Sequence, residues 1–495
     1  MGELPDSLVW KDKKLLKKQS QLQAKLLENR DEQEKNKLRN ELNHVNQDIG
    51  DFVKMIEKQY PKYHKLKYVQ VDTKVEEIQA LLDEKSALIE YVISDSLLHI
   101  FKVTKNQVQW TQQQILVQDL KQKIRLLHSV LSDYQTIGEN PESAWDNYTA
   151  SAYWFYQNML APVLREDKNI STLIIVTDGE LGHLPFEAFL VKPGTDTQRE
   201  NDNYADLHYL LKDYRISYNY AATLWKENKE APKNKNNGQM LAMAASYKNR
   251  GAGSLEELRL PDERSLRNYL QPLPAARAEV LALQESYKGY FAFDSLASEK
   301  MVKQLAPDYA IIHLAMHGLL DAKRPMLSAL AFTEDGDSLE SNFWQAHEIS
   351  KMNLNADLVV LSACETGYGR FEQGNGIASL ARAFMYAGVP AMVVSLWEVN
   401  DASTSRLMQS FYQNLAKGMP KDEALRQAKL DYITSVGNLA AHPAFWSPFI
   451  LIGNTRTITV ATKGSSVLLW AAIGVGLVAV TAIGIGLAMR QRKKE

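Results

Sequence analysis

His317 and Cys364 are the residues of this 495-residue chain whose types and placement speak most directly of chemistry. Each follows an apolar run, "AIIHLAM" before the histidine side of the pair and "DLVVLSA" before the cysteine, which is the only cysteine in the sequence. A histidine of near-neutral pKa can take a thiol proton or stabilise the thiolate, and a thiolate attacks a peptide carbonyl. Gly318, beside the histidine, lets backbone approach closely, so its N–H and that of Cys364 are the candidates for an oxyanion hole. Glu398 and Asp401 follow the run "PAMVVSLW" and can supply an acidic wall that prefers Arg or Lys before the scissile bond. A second reading makes Asp401 the cap of the helix that begins "DASTSRL".

Two other patterns invite a chemical reading and resist it. His313 lies four residues before His317 on the same side of a strand, yet no Cys or carboxylate stands at zinc-ligand spacing. It reads as a strand histidine with a local partner, and neither metal nor cofactor is expected. "GYGRFEQGNG" after the cysteine lacks the Gly-Lys-Ser/Thr of a phosphate loop and reads as an active-site loop.

Several elements must position these residues. From Leu241 the rhythm is strand, helix, strand, helix: "QMLAMAAS", "AARAEVLALQESY", "YAIIHLAMHG", "ADLVVLSACETG", "IASLARAFMYAG", "PAMVVSLWEV". That alternation argues for a parallel sheet with covering helices, whose buried strands are nearly unbroken apolar runs. Ligands of such sheets sit beyond the carboxyl ends of the strands, so neighbouring strands can bring two side chains 47 residues apart into one crevice. Helices around 405–415 and 421–435 and a last strand, "FWSPFILIG", complete the α/β unit.

Upstream, Leu38, Leu42, Val45, Ile49, Phe52 and Ile56 alternate spacings of four and three, an a/d seam. With Leu15, Leu22 and Leu26 across the polar "NRDEQEKNK", residues 1–60 read as a helical hairpin or coiled-coil arm that ends before Pro61. "ALIEYVISDSLLHIFKVTKNQVQW" reads as a hairpin or meander, broken at 94–96 and again at 105–106. The polar stretches 191–206 and 227–239 read as solvated loops.

Composition bounds the rest. A formal charge of -2 gives no basic field for nucleic acid, so direct nucleic-acid binding is not expected. One cysteine forms no intrachain disulfide, and the first thirty residues lack the apolar core of a secretory signal. Val467 to Met489 runs 23 residues without a charge before the basic tail "RQRKKE". As a helix it would be about 35 Å long, enough to cross a bilayer, so the expectation is a single-pass anchor near the C-terminus. The tail's four basic residues argue for a cytoplasmic C-terminus, whereas nothing at the N-terminus would start export of the large domain. The reading taken is a cytoplasmic catalytic domain.

At its two central motifs, "HLAMHG" and "LSACETG", the chain resembles CHAT domains, caspase-like relatives of separase found with tetratricopeptide repeats in bacteria. "LIIVTDGELGHLPFEAFL", "LPAARAEV", "SLWEVND", "DEALRQAKLDY" and "HPAFWSPFILIG" resemble them in the same order, over roughly residues 65–453. The spacing of histidine and cysteine is also about that of caspases. The resemblance implies a cysteine endopeptidase with a His-Cys dyad, carried onto His317 and Cys364. It also implies a mostly parallel sheet in two caspase-like halves, 65–240 without a catalytic cysteine and 241–455 with it. A linker at 456–466, the span at 467–489 and the tail at 490–495 complete the expected layout. No tetratricopeptide repeat is recognisable in the first 60 residues, so a regulatory protein would engage the helical arm instead. The substrate would be a protein or peptide. The alternative is a catalytically silent caspase-like scaffold tethered to the membrane.

Overall fold

The computed structural model describes residues 32–59, 73–232, 236–247, 270–321, 325–334, 341–362, 376–397, 399 and 401–463, with scattered positions between 8 and 26. Fourteen strands occur among them: β1 (Ser86–Ile93), β2 (Leu97–Thr104), β3 (Val108–Gln114), β4 (Thr172–Val176), β5 (Arg215–Asn219), β6 (Met240–Ala244), β7 (Gly289–Phe293), β8 (Ile311–Ala315), β9 (Gly318–Leu319), β10 (Ala329–Ala331), β11 (Phe343–Gln345), β12 (Leu358–Leu361), β13 (Ala391–Ser395) and β14 (Phe449–Gly453). The helices used below are α1 (Glu32–Gln59), α2 (Val117–Ser132), α3 (Pro141–Phe155), α4 (Pro274–Ser286), α5 (Gly376–Tyr386), α6 (Asp401–Ala416) and α7 (Lys421–Ser435).

Eleven strands form one sheet in the order β3-β2-β1-β4-β5-β14-β13-β12-β8-β6-β7. Pairing is parallel except for β1–β2, β2–β3 and β13–β14. The β1–β3 meander breaks where the polar residues at 94–96 and 105–106 placed its turns. The parallel strands β4, β6, β8, β12 and β13 are buried along their whole length, which is why they carry apolar runs rather than an alternating pattern. At the outer edge, β3 alternates exposed and half-buried residues, as a strand with one solvated face must.

The two halves of the chain are therefore two wings of a single sheet, joined where β14 lies between β13 and β5. Gly453 ends β14 with φ of +98°, and a Cβ there would stand 2.3 Å from Pro390 O, so only glycine permits this close approach. Beside this seam a buried ion pair crosses from one wing to the other. Lys429 Nζ of α7 is 3.1 Å from Glu187 Oε1, and Tyr218 Oη of β5 donates to Glu187 Oε2 at 2.5 Å. Arg426, on the same helix, donates to the carbonyls of Leu211 and Lys212.

Ahead of the sheet, the described positions between 8 and 26 pack along α1. Leu8 and Leu15 pack with Phe52 and Ile56, and Leu22 and Leu26 pack with Leu38 and Val45, so early residues meet late ones in antiparallel order.

Two expectations are corrected. The stretch 191–206 is not simply a solvated loop: it holds a short helix, Asp196–Glu200, and Tyr204 is fully buried against Trp145 and His442, with ring centroids 4.7 and 4.5 Å away. Its polar composition hid one aromatic anchor. The single-pass membrane architecture, and the localisation drawn from it, are also set aside. Among the described residues no helix is long and apolar enough to cross a membrane, and the Val467–Met489 run lies outside those residues. Length alone does not make a span: α1 has 28 residues, but each of its turns carries charged or amide side chains.

Candidate active site

The carboxyl ends of β8, β12 and β13 are adjacent, and the sequence places its chemistry there. β8 and β12 pair in parallel with Leu358 opposite Ile311 and Leu361 opposite Leu314, a constant offset of 47. The register holds one step past the strand, because Ser362 N donates to Leu314 O at 3.1 Å.

His317 follows β8 by two residues and is fully buried. Its backbone N–H donates to Tyr247 Oη at 3.1 Å, and its carbonyl accepts from Ala331 N at 2.9 Å. Tyr247 Oη in turn donates to Ala331 O at 2.6 Å, and the two rings lie 4.7 Å apart. The imidazole Nε2 is 2.7 Å from Gln271 O. A carbonyl can only accept, so Nε2 carries a ring proton. Gln271 precedes the Pro272-Leu273-Pro274 entry to α4, where neither proline offers an N–H, and Leu270 is anchored in a small apolar cluster with Ala329, Ala331 and Phe343.

Gly318 opens β9 opposite Leu330 of β10. Since Ala331 N bonds His317 O, the residues flanking this pair carry the ladder bonds, and in an antiparallel ladder the Gly318–Leu330 pair is then the non-hydrogen-bonded kind. Its N–H points off the ladder. Asp401 is the first residue of α6. Cys364 and Glu398 lie outside the described residues.

His313, four residues earlier on β8, meets different groups. Its Nδ1 is 3.0 Å from Tyr412 Oη, and its Nε2 is 3.2 Å from Glu279 Oε1 and 3.3 Å from Ser362 Oγ. Among the described residues no group of three or more His, Cys, Asp or Glu can hold a metal ion.

Sequence reasoning did not single out Tyr247, Gln271, Glu279, Ser362 or Tyr412. Of these, Glu279 carried a visible signal. It sits on the inward stripe of α4 with Ala276, Val280 and Leu283, and a carboxylate on such a stripe needs a partner. The Gln271 carbonyl and the Tyr247 hydroxyl gave none, because a backbone oxygen has no residue type and tyrosines are common in cores.

A family model described as the CHAT domain matches residues 149–454, more than half of the chain. Among curated proteins, tetratricopeptide repeat protein 28 of Mus musculus is 31% identical over 109 residues, and that of Homo sapiens 29% over 126 residues. These matches cover 22% and 24% of this chain but only 4% and 5% of the relatives, so the chain spans a small fraction of their length. Both are mammalian, and the comparisons lend no support to the bacterial setting that the resemblance suggested. Among solved structures, the Saccharomyces cerevisiae separase–securin complex is similar at a TM-score of 0.46 and 8% identity, covering 77% of this chain and 30% of that chain. The Arg specific cysteine proteinase gingipain R has a TM-score of 0.40 at 10% identity, covering 80% and 81%.

Proposed function

This chain belongs to the CHAT domain family, and from that premise we propose that it is a cysteine endopeptidase whose nucleophile is Cys364 and whose base is His317. One observation carries the reading. The β8–β12 register has an offset of 47, and His317 and Cys364 are also 47 residues apart, so the two motifs follow the carboxyl ends of neighbouring parallel strands.

In this reading Nδ1 of His317 takes the thiol proton while Nε2–H stays on the Gln271 carbonyl. The thiolate attacks the scissile carbonyl, and the N–H groups of Gly318 and Cys364 stabilise the oxyanion. His317 returns the proton to the leaving amine, and a water deprotonated by His317 then hydrolyses the thioester. No metal or cofactor enters. Glu398 and Asp401 follow β13, the strand beside β12, and are proposed to favour Arg or Lys before the cleaved bond. A regulatory protein is proposed to dock on the arm of residues 1–60.

The test is a proteome-wide comparison of new peptide N-termini between cells with the wild-type protein and cells with Cys364→Ala. Substrate cleavages present in the first and absent in the second are expected, and His317→Ala should lower the rate on an identified substrate by about 10²–10⁴-fold. Identical cleavage patterns, with a Cys364→Ala protein that still serves the cell, would instead identify a catalytically silent scaffold.

A further inference from the structure

Four side chains beneath the candidate site form a closed polar group inside the apolar core. Glu279 of α4, His313 of β8, Ser362 at the end of β12 and Tyr412 of α6 are all at most 3% exposed. Ser362 Oγ donates to Glu279 Oε2 at 3.0 Å, and Glu279 Oε1 faces His313 Nε2 at 3.2 Å. The Tyr412 hydroxyl is 3.0 Å from His313 Nδ1. One arrangement of protons satisfies the group: Tyr412 O–H donates to Nδ1, Nε2–H turns to the carboxylate, and Ser362 O–H donates to the other carboxylate oxygen. Burial, reinforced by the Glu279 charge, holds the Tyr412 phenol far above its usual pKa, so this hydroxyl remains a donor.

A buried carboxylate is expensive, and an apolar residue of similar volume at position 279 would complete the inward stripe of α4. The group touches no solvent. It does touch both strands that lead to the dyad: His313 is four residues before His317, and Ser362 is two before Cys364, within about 7 Å of chain reach. The segment entering the same helix supplies the Gln271 carbonyl to His317 Nε2. A single element, Gln271 through α4, thus holds the base by its backbone and the strand of the nucleophile by the Glu279 carboxylate.

We propose that Glu279 is a positioning residue, fixing the end of β12 relative to β8 through Ser362 and His313 and thereby supporting the function of the proposed dyad. This rests on the dyad reading. Glu279→Gln keeps the shape and one accepting oxygen but replaces the charged carboxylate by an amide whose N–H₂ can only donate, so one of the two bonds the carboxylate accepts is lost or reversed and the common anchor of the two strand ends is weakened.

Because Cys364 is the only cysteine, alkylation of the full chain by iodoacetamide reports that thiol alone. Wild type, His317→Ala, Glu279→Gln and Ser362→Ala are followed from pH 5 to 10, each with a thermal melt. The wild-type thiol is expected to react with a midpoint below the ordinary thiol value of about 8.5, and His317→Ala to return it there. Glu279→Gln and Ser362→Ala should each raise the midpoint and slow alkylation at pH 7 by about tenfold, with effects that do not add when combined. Should Glu279→Gln fail to fold, Ser362→Ala alone decides. If both variants match the wild-type profile while His317→Ala differs, the positioning role is overturned and the dyad stands. A Glu279→Gln protein that melts lower but alkylates like wild type overturns it equally. If wild type and His317→Ala both titrate near the ordinary value, the dyad falls and the positioning role with it.

Discussion

The two wings of the sheet end their parallel strands at opposite edges, because β13 and β14 pair antiparallel between them, and they treat the groups found there differently. Past β4, in the first wing, Asp178 accepts the Ile93 N–H at 2.8 Å, and Glu180 is buried beside Lys121 and Arg125 at 3.4 and 3.8 Å. His183 stands edge-on to His128, with centroids 6.5 Å apart. Past β8, in the second wing, His317 is held by a tyrosine hydroxyl, an alanine amide and a glutamine carbonyl. In the first wing ionisable side chains are cement. In the second an imidazole is gripped at its backbone and at one ring nitrogen by uncharged groups, which fixes its orientation. On the proposed dyad, the difference separates a strand end that stabilises from one that would move a proton.

Removing the cement should have the largest effect. Lys429→Met leaves the Glu187 carboxylate buried with only Tyr218 to answer it, and breaking one side of a buried pair destabilises by about 3–5 kcal/mol. Adding Glu187→Gln should recover much of that loss, since the unpaired charge is then gone. Chemical denaturation of the two variants measures it. A single variant that unfolds at the wild-type midpoint would show that the wings need no electrostatic staple.

Acid should act next, through histidines built into packing rather than chemistry. Burial first, and then the charge of His183, lower the His128 pKa to about 4 against a weaker opposing contact at Leu396. Burial alone lowers His442 to about 3, and its Nδ1 accepts the Ala444 N–H at 3.1 Å. Both pKa values are depressed below the unfolded value of about 6.5, so between that pH and about 4 the unfolded chain binds protons that the folded chain does not. The stability from keeping them neutral is fully present above about 6.5 and is lost as pH falls, roughly 3 kcal/mol for His128. Melting temperature should drop between pH 7.5 and 4.5, and His442→Asn, which keeps an acceptor for Ala444, should flatten the slope. An unchanged slope in that variant would remove His442 from the account.

The same contrast governs what could be read from the sequence. The parallel core was legible because "TLIIV", "AIIHLA" and "AMVVS" are strands buried on both faces, and such strands cannot hide their apolar runs. The seam of α1 was legible from its three-four spacing, and Leu15, Leu22 and Leu26 pack on that helix. The chain-wide sheet was not, because placing β14 between β13 and β5 depends on contacts across more than 200 residues that no local pattern encodes. At the site, the spacing of 47 points to two strand ends sharing a crevice; the β8–β12 offset is the same number, while Cys364 itself lies outside the described residues. The Gln271 carbonyl was beyond reach, since a proline-framed backbone oxygen has no signature. Tyr204 was missed for the opposite reason: one aromatic among many polar neighbours does not shift a segment's composition, though it fixes where that segment lies.

The smallest effect on stability should be the most informative about the site. Tyr247→Phe keeps the ring beside His317 but removes the oxygen that accepts the His317 N–H and donates to Ala331 O. Two buried backbone groups lose one partner, which destabilises by about 1–2 kcal/mol. The matched change in the first wing is Asp178→Asn, which retains an oxygen for the Ile93 N–H and should be milder still. If the second wing is arranged for proton transfer, Tyr247→Phe should also lower kcat on an identified substrate about tenfold with KM nearly unchanged, because a small misplacement of the base is felt in the reaction and not in binding. Asp178→Asn should leave kcat alone. Equal kinetic losses from the two variants would erase the distinction between the wings, since both strand ends would then act on the site only through the stability of the sheet they share.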